Sequence, residues 1–284
     1  MKFLLALLLV LPWSPGAPGA PGAPGAPGAP GAMTATNDAE AAVLEDFRAL
    51  GSGDVDGLAA VFAPRFTMHR LPVEAHTLVG PPSSRMRTRE ELRAYFREAF
   101  VARPPAPHQV LAMASVDDLV VVRVAAQLAV DAPPDHAFTA FRVRDGLIEA
   151  VWHIAREPGA AQDSGADALR TVRQLVDAHN RGDADAFVAL YHRDARHSHV
   201  RDDPTRLGGG PARQTSDPER RRRFYRELYA KAPPTPVEIV ASVALGEWVA
   251  TRERYREPDG SRRDHLTVYR VRDGLIIDDW HLAP

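Results

Sequence analysis

The chain of 284 residues contains no cysteine. That absence excludes disulfides, thiolate metal sites and cysteine nucleophiles. It leaves location open, because a disulfide-free protein is compatible with any redox compartment. An excess of one charge is also missing. The 35 Lys and Arg residues and the 37 Asp and Glu residues leave a formal net charge of −2, so neither nucleic acid nor an anionic membrane is expected as a partner. Phosphate-loop spacing, a dinucleotide fingerprint and a serine nucleophile elbow are all lacking, and Gly208-Gly209-Gly210 fits none of them. No cofactor is therefore expected. The longest apolar run, Phe3 to Leu11, is too short to span a bilayer. What remains, 45% hydrophobic and 25% charged residues, is the composition of a soluble globular protein. The length is enough for two domains of ordinary size.

The N-terminus reads differently from the rest. Lys2, the apolar run and Pro12-Trp13 fit a signal peptide over residues 1–14. Six Pro-Gly-Ala triplets run from Pro15 to Ala32. Such a tract cannot build a core and reads as an extended linker over residues 15–36. Two starts give two locations: export to the periplasm or the extracellular space if Met1 begins the protein, and the cytoplasm if Met33 does.

Internal repetition organises everything downstream. Phe141-Arg-Val-Arg-Asp-Gly-Leu-Ile148 returns as Tyr269-Arg-Val-Arg-Asp-Gly-Leu-Ile276, an offset of 128 residues, and each copy leads into a Trp-His pair, Trp152-His153 and Trp280-His281. Gly53-Asp54 matches Gly182-Asp183, and Tyr95-Phe96-Arg97-Glu98 matches Phe224-Tyr225-Arg226-Glu227, both offset by 129. A near-constant offset of this length means duplication of a whole domain. The units are assigned to residues 37–157 and 166–284, with the Gly- and Ala-rich segment 158–165 as linker.

Both units carry the same order of elements. A first helix shows apolar residues at helical spacing, Val43, Phe47 and Leu50 in one copy and Val172 and Val176 in the other. A Gly-Asp turn ends it, and a short second helix follows. A strand comes next, around residues 66–70 and 195–200. The third helix opens on a capping box at Thr88-Arg-Glu-Glu91 in the first copy and on Asp217-Pro218 in the second. Strands fill the remainder, with tight hairpins at Asp145-Gly146 and Asp273-Gly274. Helices followed by antiparallel strands make an α+β pattern in which helices cover one face of a sheet.

This order, the segment Asn180-Arg-Gly-Asp183 with Ala186-Phe-Val-Ala-Leu-Tyr191, and the terminal hairpin Tyr269 to Trp280 resemble the nuclear transport factor 2-like superfamily, in its SnoaL-like and ketosteroid isomerase-like branch. The resemblance implies two tandem cone-shaped α+β domains, each with three helices packed on a strongly curved mixed or antiparallel sheet around one small-molecule pocket. It also implies that outer sheet faces pair, either between the two halves or between chains. It is specific for fold and weak for function, because the fold hosts cyclases, isomerases, dehydratases, epoxide hydrolases and non-catalytic binders. The family's acid and base positions fall here on Asp46 and Leu175, Arg70 and His199, Thr139 and Thr267, and Ile154 and Leu282, so none of those mechanisms transfers intact.

Strand alternation, with its parity taken from the family, puts His265, Thr267 and Tyr269 on the pocket face of the second domain. On the same reasoning the last strand contributes Asp278 and Trp280 and the first strand His197 and His199. Imidazoles and a carboxylate in an apolar cup suit acid–base work near neutral pH. His199 is the candidate base, with His197 and Asp278 tuning or orienting it. His265, Thr267, Tyr269 and Trp280 are candidate ligand contacts. In the first domain the corresponding pocket, with Met68, Ala137 and Ala150, is more apolar. Its ligand candidates are Phe141, Trp152 and a suspected ion pair between Asp46 and Arg70.

Plainer readings accompany each. His197-Ser198-His199 also has metal-ligand spacing, but a hydrogen-bonded pair of pocket histidines is preferred and no metal is assigned. His153 and His281 read as outer-sheet residues. Arg220 to Arg223 read as a solvated helix face, and the segment around Asp202-Asp203-Pro204 as a loop over the pocket mouth. The expected function is a pocket for a small, apolar, oxygenated ligand. Cofactor-free isomerase, cyclase, dehydratase or epoxide hydrolase chemistry would sit in the second domain. The alternative is a non-catalytic binding or scaffold protein of the same fold.

Overall fold

A computed structural model of the chain describes residues 33–70, 86–128, 132–161, 163–199 and 217–282. The side chains of Arg70, Ser198 and His199 are outside that description. So are the signal-peptide and Pro-Gly-Ala segments and the proposed mouth loop. No helix among the described residues is long and apolar enough to cross a membrane.

The first domain comprises α1 (Asp38–Ser52), α2 (Val55–Ala60), β1 (Phe62–Arg70), α3 (Arg89–Ala102), β2 (His108–Val116), β3 (Leu119–Ala126), β4 (Asp135–Arg144) and β5 (Leu147–Glu157). The second repeats the order with α4 (Ala166–Asn180), α5 (Ala184–Ala189), β6 (Tyr191–His199), α6 (Pro218–Lys231), β7 (Val237–Leu245), β8 (Trp248–Arg256), β9 (Arg262–Arg272) and β10 (Leu275–His281). Each domain is a five-stranded sheet, ordered β1-β5-β4-β3-β2 and β6-β10-β9-β8-β7. The first strand pairs in parallel with the last, and every other pairing is antiparallel. The α+β class and the tandem, three-helix, mixed-sheet plan therefore hold.

Local chemistry explains the boundaries. The Thr88 hydroxyl accepts from Glu91 N–H while the Glu91 side chain reaches back to Thr88, the expected capping box. Asp217 caps α6 and Pro218 opens it. The hairpins at Asp145-Gly146 and Asp273-Gly274 place both central residues at positive φ, 51° and 73° in one and 51° and 75° in the other. A two-residue turn of this type twists with its strands, and Asp followed by Gly is among the few pairs that tolerate it.

The helices of the first domain close on β1, β3, β4 and β5 around Val43, Phe47, Leu92, Phe96 and Phe141. Those of the second close around Val172, Leu175, Phe187, Tyr269 and Ile276. A third apolar cluster draws on both sheets. Val121, Phe138, Ala140 and Trp152 meet Val243, Trp248, Val268 and Trp280. Beside it the linker is tied down by Arg123, whose guanidinium donates to the carbonyls of Ala161, Ser164 and Ala244 and to His136. Gly165 lies so close to β7 that a Cβ there would stand 2.6 Å from Leu245 N, which explains a glycine at the start of α4. His136 accepts from Arg123, so it is neutral, and burial followed by the Arg123 charge lowers its pKa.

Candidate functional site

In the second domain the cone encloses a cavity of about 420 Å³. α4 contributes Leu175 and His179, α6 contributes Tyr225, and the sheet contributes His197, Glu253, Tyr255, His265, Tyr269 and His281.

One wall is built where β6 and β10 run parallel. His197 and Asp279 are register partners, and His197 Nδ1–H donates to Asp279 Oδ1 at 2.5 Å. The Tyr191 hydroxyl donates to Asp279 Oδ2 at 2.8 Å. Asp279 is 0% exposed. Burial pushes its carboxyl pKa up, but the His197 and His281 charges and the two hydrogen bonds outweigh burial and leave it below the ordinary value. Burial pulls His197 down, but Asp279 outweighs burial and holds the imidazole above its ordinary value. The imidazole of His281 packs edge-on against His197, ring centroids 4.7 Å apart. Its Nδ1 lies 3.2 Å from Thr267 Oγ1.

The other wall is a buried carboxyl caged by hydroxyls. Glu253 Oε1 accepts from Tyr269 and Thr251, each at 2.7 Å, and Oε2 accepts from Tyr255 at 3.3 Å and Thr267 at 3.4 Å. Burial raises its pKa, and the four donors only partly offset this. Burial and then the Glu253 charge hold the Tyr269 phenol well above its ordinary range, so it is a hydrogen-bond donor at neutral pH. Thr267 touches both Glu253 and His281, joining the two walls. At the α4 end His179 Nδ1 meets the Tyr229 hydroxyl at 3.0 Å and Nε2 meets the Thr235 carbonyl at 3.0 Å, and burial lowers this imidazole.

The three side chains His197, Asp279 and His281 bring one ligand atom each to within 4.8 Å of one another, a two-His, one-carboxylate set that could hold a divalent ion. The hydrogen bonds from His197 and Tyr191 already occupy both oxygens of Asp279.

Of the expected site residues, the structure brings His197, His265 and Tyr269 together in the cavity, with Thr267 behind Glu253. Asp278 and Trp280 lie on the opposite face. The pairing of β10 with both its neighbours slips between Ile276 and Asp278. This bulge inserts one residue and reverses the parity of everything after it. Asp279 and His281 thereby turn inward, correcting the reading of His281 as an outer-sheet residue. Asp278 pairs instead with Arg196 at 2.7 Å, and Trp280 stacks on Trp248.

The same slip between Ile148 and Ala150 in the first domain sends Ala150 and Trp152 outward, while Ile148 and Val151 join the inner core. Trp152 stacks on His69 rather than lining a pocket. His199 and Arg70 end their strands, and their side chains lie outside the described residues. Asp279, Glu253, Tyr191 and Tyr255 went unread in the sequence. Glu253 had a signal: Thr251, Glu253 and Tyr255 alternate with Arg252, Arg254 and Arg256, so one face of β8 is basic and the other carries the cage.

In the first domain the matching positions are filled. Val176, His197, Tyr225, Glu253 and Tyr269 correspond to Phe47, Met68, Phe96, Val124 and Phe141, all in its core. Asp46, at the place of cavity-lining Leu175, is 7% exposed. No hydrogen bond or ion pair reaches it from the described residues, and the side chain of Arg70, its suspected partner, lies outside them. Burial pushes its pKa up to about 7. A carboxyl raised from 3.8 in the unfolded chain costs no stability below 3.8, and the cost grows as pH rises until it is complete above about 7. That interval corresponds to about 4 kcal/mol. Asp46→Leu should therefore stabilise the protein at pH 8 and change it little at pH 4, as urea unfolding at the two values would show. Equal effects at both would mean that Asp46 is not protonated in the folded state.

A mixed sheet folded over three helices is the cone of nuclear transport factor 2-like proteins, and it occurs here twice, with the cavity described above in the second copy. The SnoaL-like domain family matches residues 43–151 and again 172–278, more than half of the chain, and the protein belongs to that family. Among solved structures the chain is similar to an uncharacterized cystatin-fold protein from Novosphingobium aromaticivorans (23% identity, 41% of this chain and 97% of that one, TM-score 0.34). It is also similar to a SnoaL-like protein of unknown function from Burkholderia thailandensis (24% identity, 41% and 92%, TM-score 0.30). A third is an NTF2-like protein of unknown function from Mesorhizobium loti (18% identity, 44% and 97%, TM-score 0.35). These likenesses concern fold alone. No curated protein matches the chain.

Proposed function

We propose that the second domain catalyses cofactor-free proton transfer on a small oxygenated ligand, an isomerisation or cyclisation through an enol. The observation that carries this reading is the His197–Asp279 pair facing a cavity whose far wall holds a carboxyl of raised pKa, Glu253. Two carboxyls pushed in opposite directions on the two walls of one cavity, Asp279 down and Glu253 up, give His197 an ionised partner and the far wall a group that holds its proton more readily. With Nδ1 bound to Asp279, His197 exchanges protons through Nε2. It takes the proton from carbon next to a carbonyl, and Asp279 stabilises the imidazolium. Glu253 delivers its proton to the carbonyl oxygen as the enol forms. Return of a proton from His197 to a different carbon, and of the enol proton to Glu253, completes an isomerisation and restores both groups. Attack of the enol carbon on a second carbonyl would instead close a ring.

The first domain, its inner positions filled by Phe and Met, has a supporting role in this reading. The shared apolar cluster supports pairing of domains 37–157 and 166–284 within one chain rather than between chains.

Native mass spectrometry would show whether a ligand of a few hundred daltons is retained, and deuterium uptake from D2O by cyclic ketones would report the chemistry. Exchange at the buffer rate for every retained ketone would leave a binding protein instead. The pH profile tests the pair. Asp279 raises the His197 pKa, and the base must be neutral to act, so Asp279→Asn should move the acid limb of the rate profile to lower pH while lowering the maximum. An unmoved limb would remove His197 as the base.

A further inference from the structure

We propose a second binding site, for a phosphate dianion, on the outer face of the second domain where β8 ends and β9 begins. Glu253 and Tyr255 face the inner cavity, so Arg254 and Arg256 point the other way. Arg256 and Arg262 are direct register partners across the two antiparallel strands, and partners in such a pair share a face with Cβ atoms about 5 Å apart. Both are exposed. No ion pair or hydrogen bond to either side chain occurs among the described residues.

Their neighbours do not neutralise them. Asp264 is already shared by Arg252 and Arg254, Glu257 is taken by Arg263, and Glu238 is the register partner of Arg254. Four guanidiniums thus meet two carboxylates on this face. Like charges placed directly opposite destabilise a sheet, and a protein with a net charge of −2 has carboxylates to spare elsewhere. Arg254, Arg256, Arg262 and the Glu238 carboxylate, with Pro236 and Val237, line a cleft of about 250 Å³. That is below the roughly 300–1,000 Å³ of pockets for whole drug-sized ligands, but it accommodates one tetrahedral group. Two opposed guanidinium forks supply paired donors and two positive charges, which match the oxygens and charge of a phosphate monoester better than a carboxylate.

Titration of the full chain with inorganic phosphate at pH 8 and low salt, followed by calorimetry, tests the site. The parent and Arg272→Ala, a change at the far end of β9, should bind saturably and alike. Arg256→Ala and Arg262→Glu should each weaken binding by about tenfold or more, the worth of one charge-assisted contact. Arg262→Glu also converts a repulsive cross-strand pair into an attractive one. It should melt above the parent in phosphate-free buffer yet lose the rise in Tm that phosphate gives the parent.

Vesicles separate the sources of this chemistry. Retention on phosphatidic acid but not phosphatidylcholine, lost in Arg262→Glu, would assign a lipid headgroup. Phosphate binding without retention would assign a soluble phosphate ester. Absence of saturable phosphate binding to the parent, or equal affinity in the parent and both arginine variants, would overturn the proposal.

Discussion

Replacement of His197 by Gln is expected to lower the proton-transfer rate of the second domain by a factor of about 10²–10⁴, the usual worth of a positioned general base, while ligand affinity stays near that of the parent. Glutamine keeps a donor for Asp279 Oδ1 in place of the imidazole N–H that now lies 2.5 Å away. The buried carboxylate is therefore not stranded, and the loss reads chemistry rather than collapse. Only a group that acts in the transition state lowers the rate without weakening binding. Deuterium exchange on a retained ketone gives the rate, and native mass spectrometry or calorimetry gives the affinity. His192→Gln is the control, since His192 lies on the same strand outside the cavity. A rate unchanged in His197→Gln would end the acid–base reading. A fall in affinity with no fall in rate constant would make the cavity a binding site alone.

Much of this plan was legible before any coordinates. The 128-residue offset between Phe141-Arg-Val-Arg-Asp-Gly and Tyr269-Arg-Val-Arg-Asp-Gly announces a duplicated domain, because nothing else produces so long a repeat of identical turn chemistry. The turns at Asp145-Gly146 and Asp273-Gly274 and the cap at Thr88 are set by local backbone rules, and the structure obeys them.

The histidine–carboxylate wall of the cavity is not legible in the sequence, for an equally physical reason. Side chains alternate with period two along a strand, so one inserted residue exchanges the faces of all that follow. The segment Ile276-Ile277-Asp278-Asp279 repeats each residue type in adjacent positions and gives no parity of its own. Parity carried past the bulge without a break puts Asp278 where Asp279 stands. His197 keeps its parity across the slip in β6, since Tyr191 and His197, an even number of residues apart, both line the cavity, and β9 carries no slip before His265. Glu253 needed the alternating arginines of β8 to be read as a solvent face.

The bulge also fixes what Trp280 does, and its replacement makes the second large prediction. Trp280 is 2% exposed and sits in the apolar cluster that both sheets share, stacked on Trp248 with ring centroids 5.7 Å apart. Removing a buried Trp side chain costs about 3–5 kcal/mol through lost transfer free energy and the cavity left behind. The surroundings of Trp280 resist collapse, because two sheets with fixed ladders meet there. Trp280→Ala should therefore lower the urea midpoint of the whole chain by an amount in that range. Its neighbour Asp279 points the other way, so the titration of His197, followed by NMR under native conditions, should remain that of the parent. The alternative placement of Trp280, as a wall of the ligand cavity, predicts the reverse: a smaller loss of stability and a shifted His197 titration as water enters beside the imidazole. The two readouts thus separate a residue that joins the domains from one that shapes the site, and they test the reversal of strand parity on which the assignment of Asp279 depends.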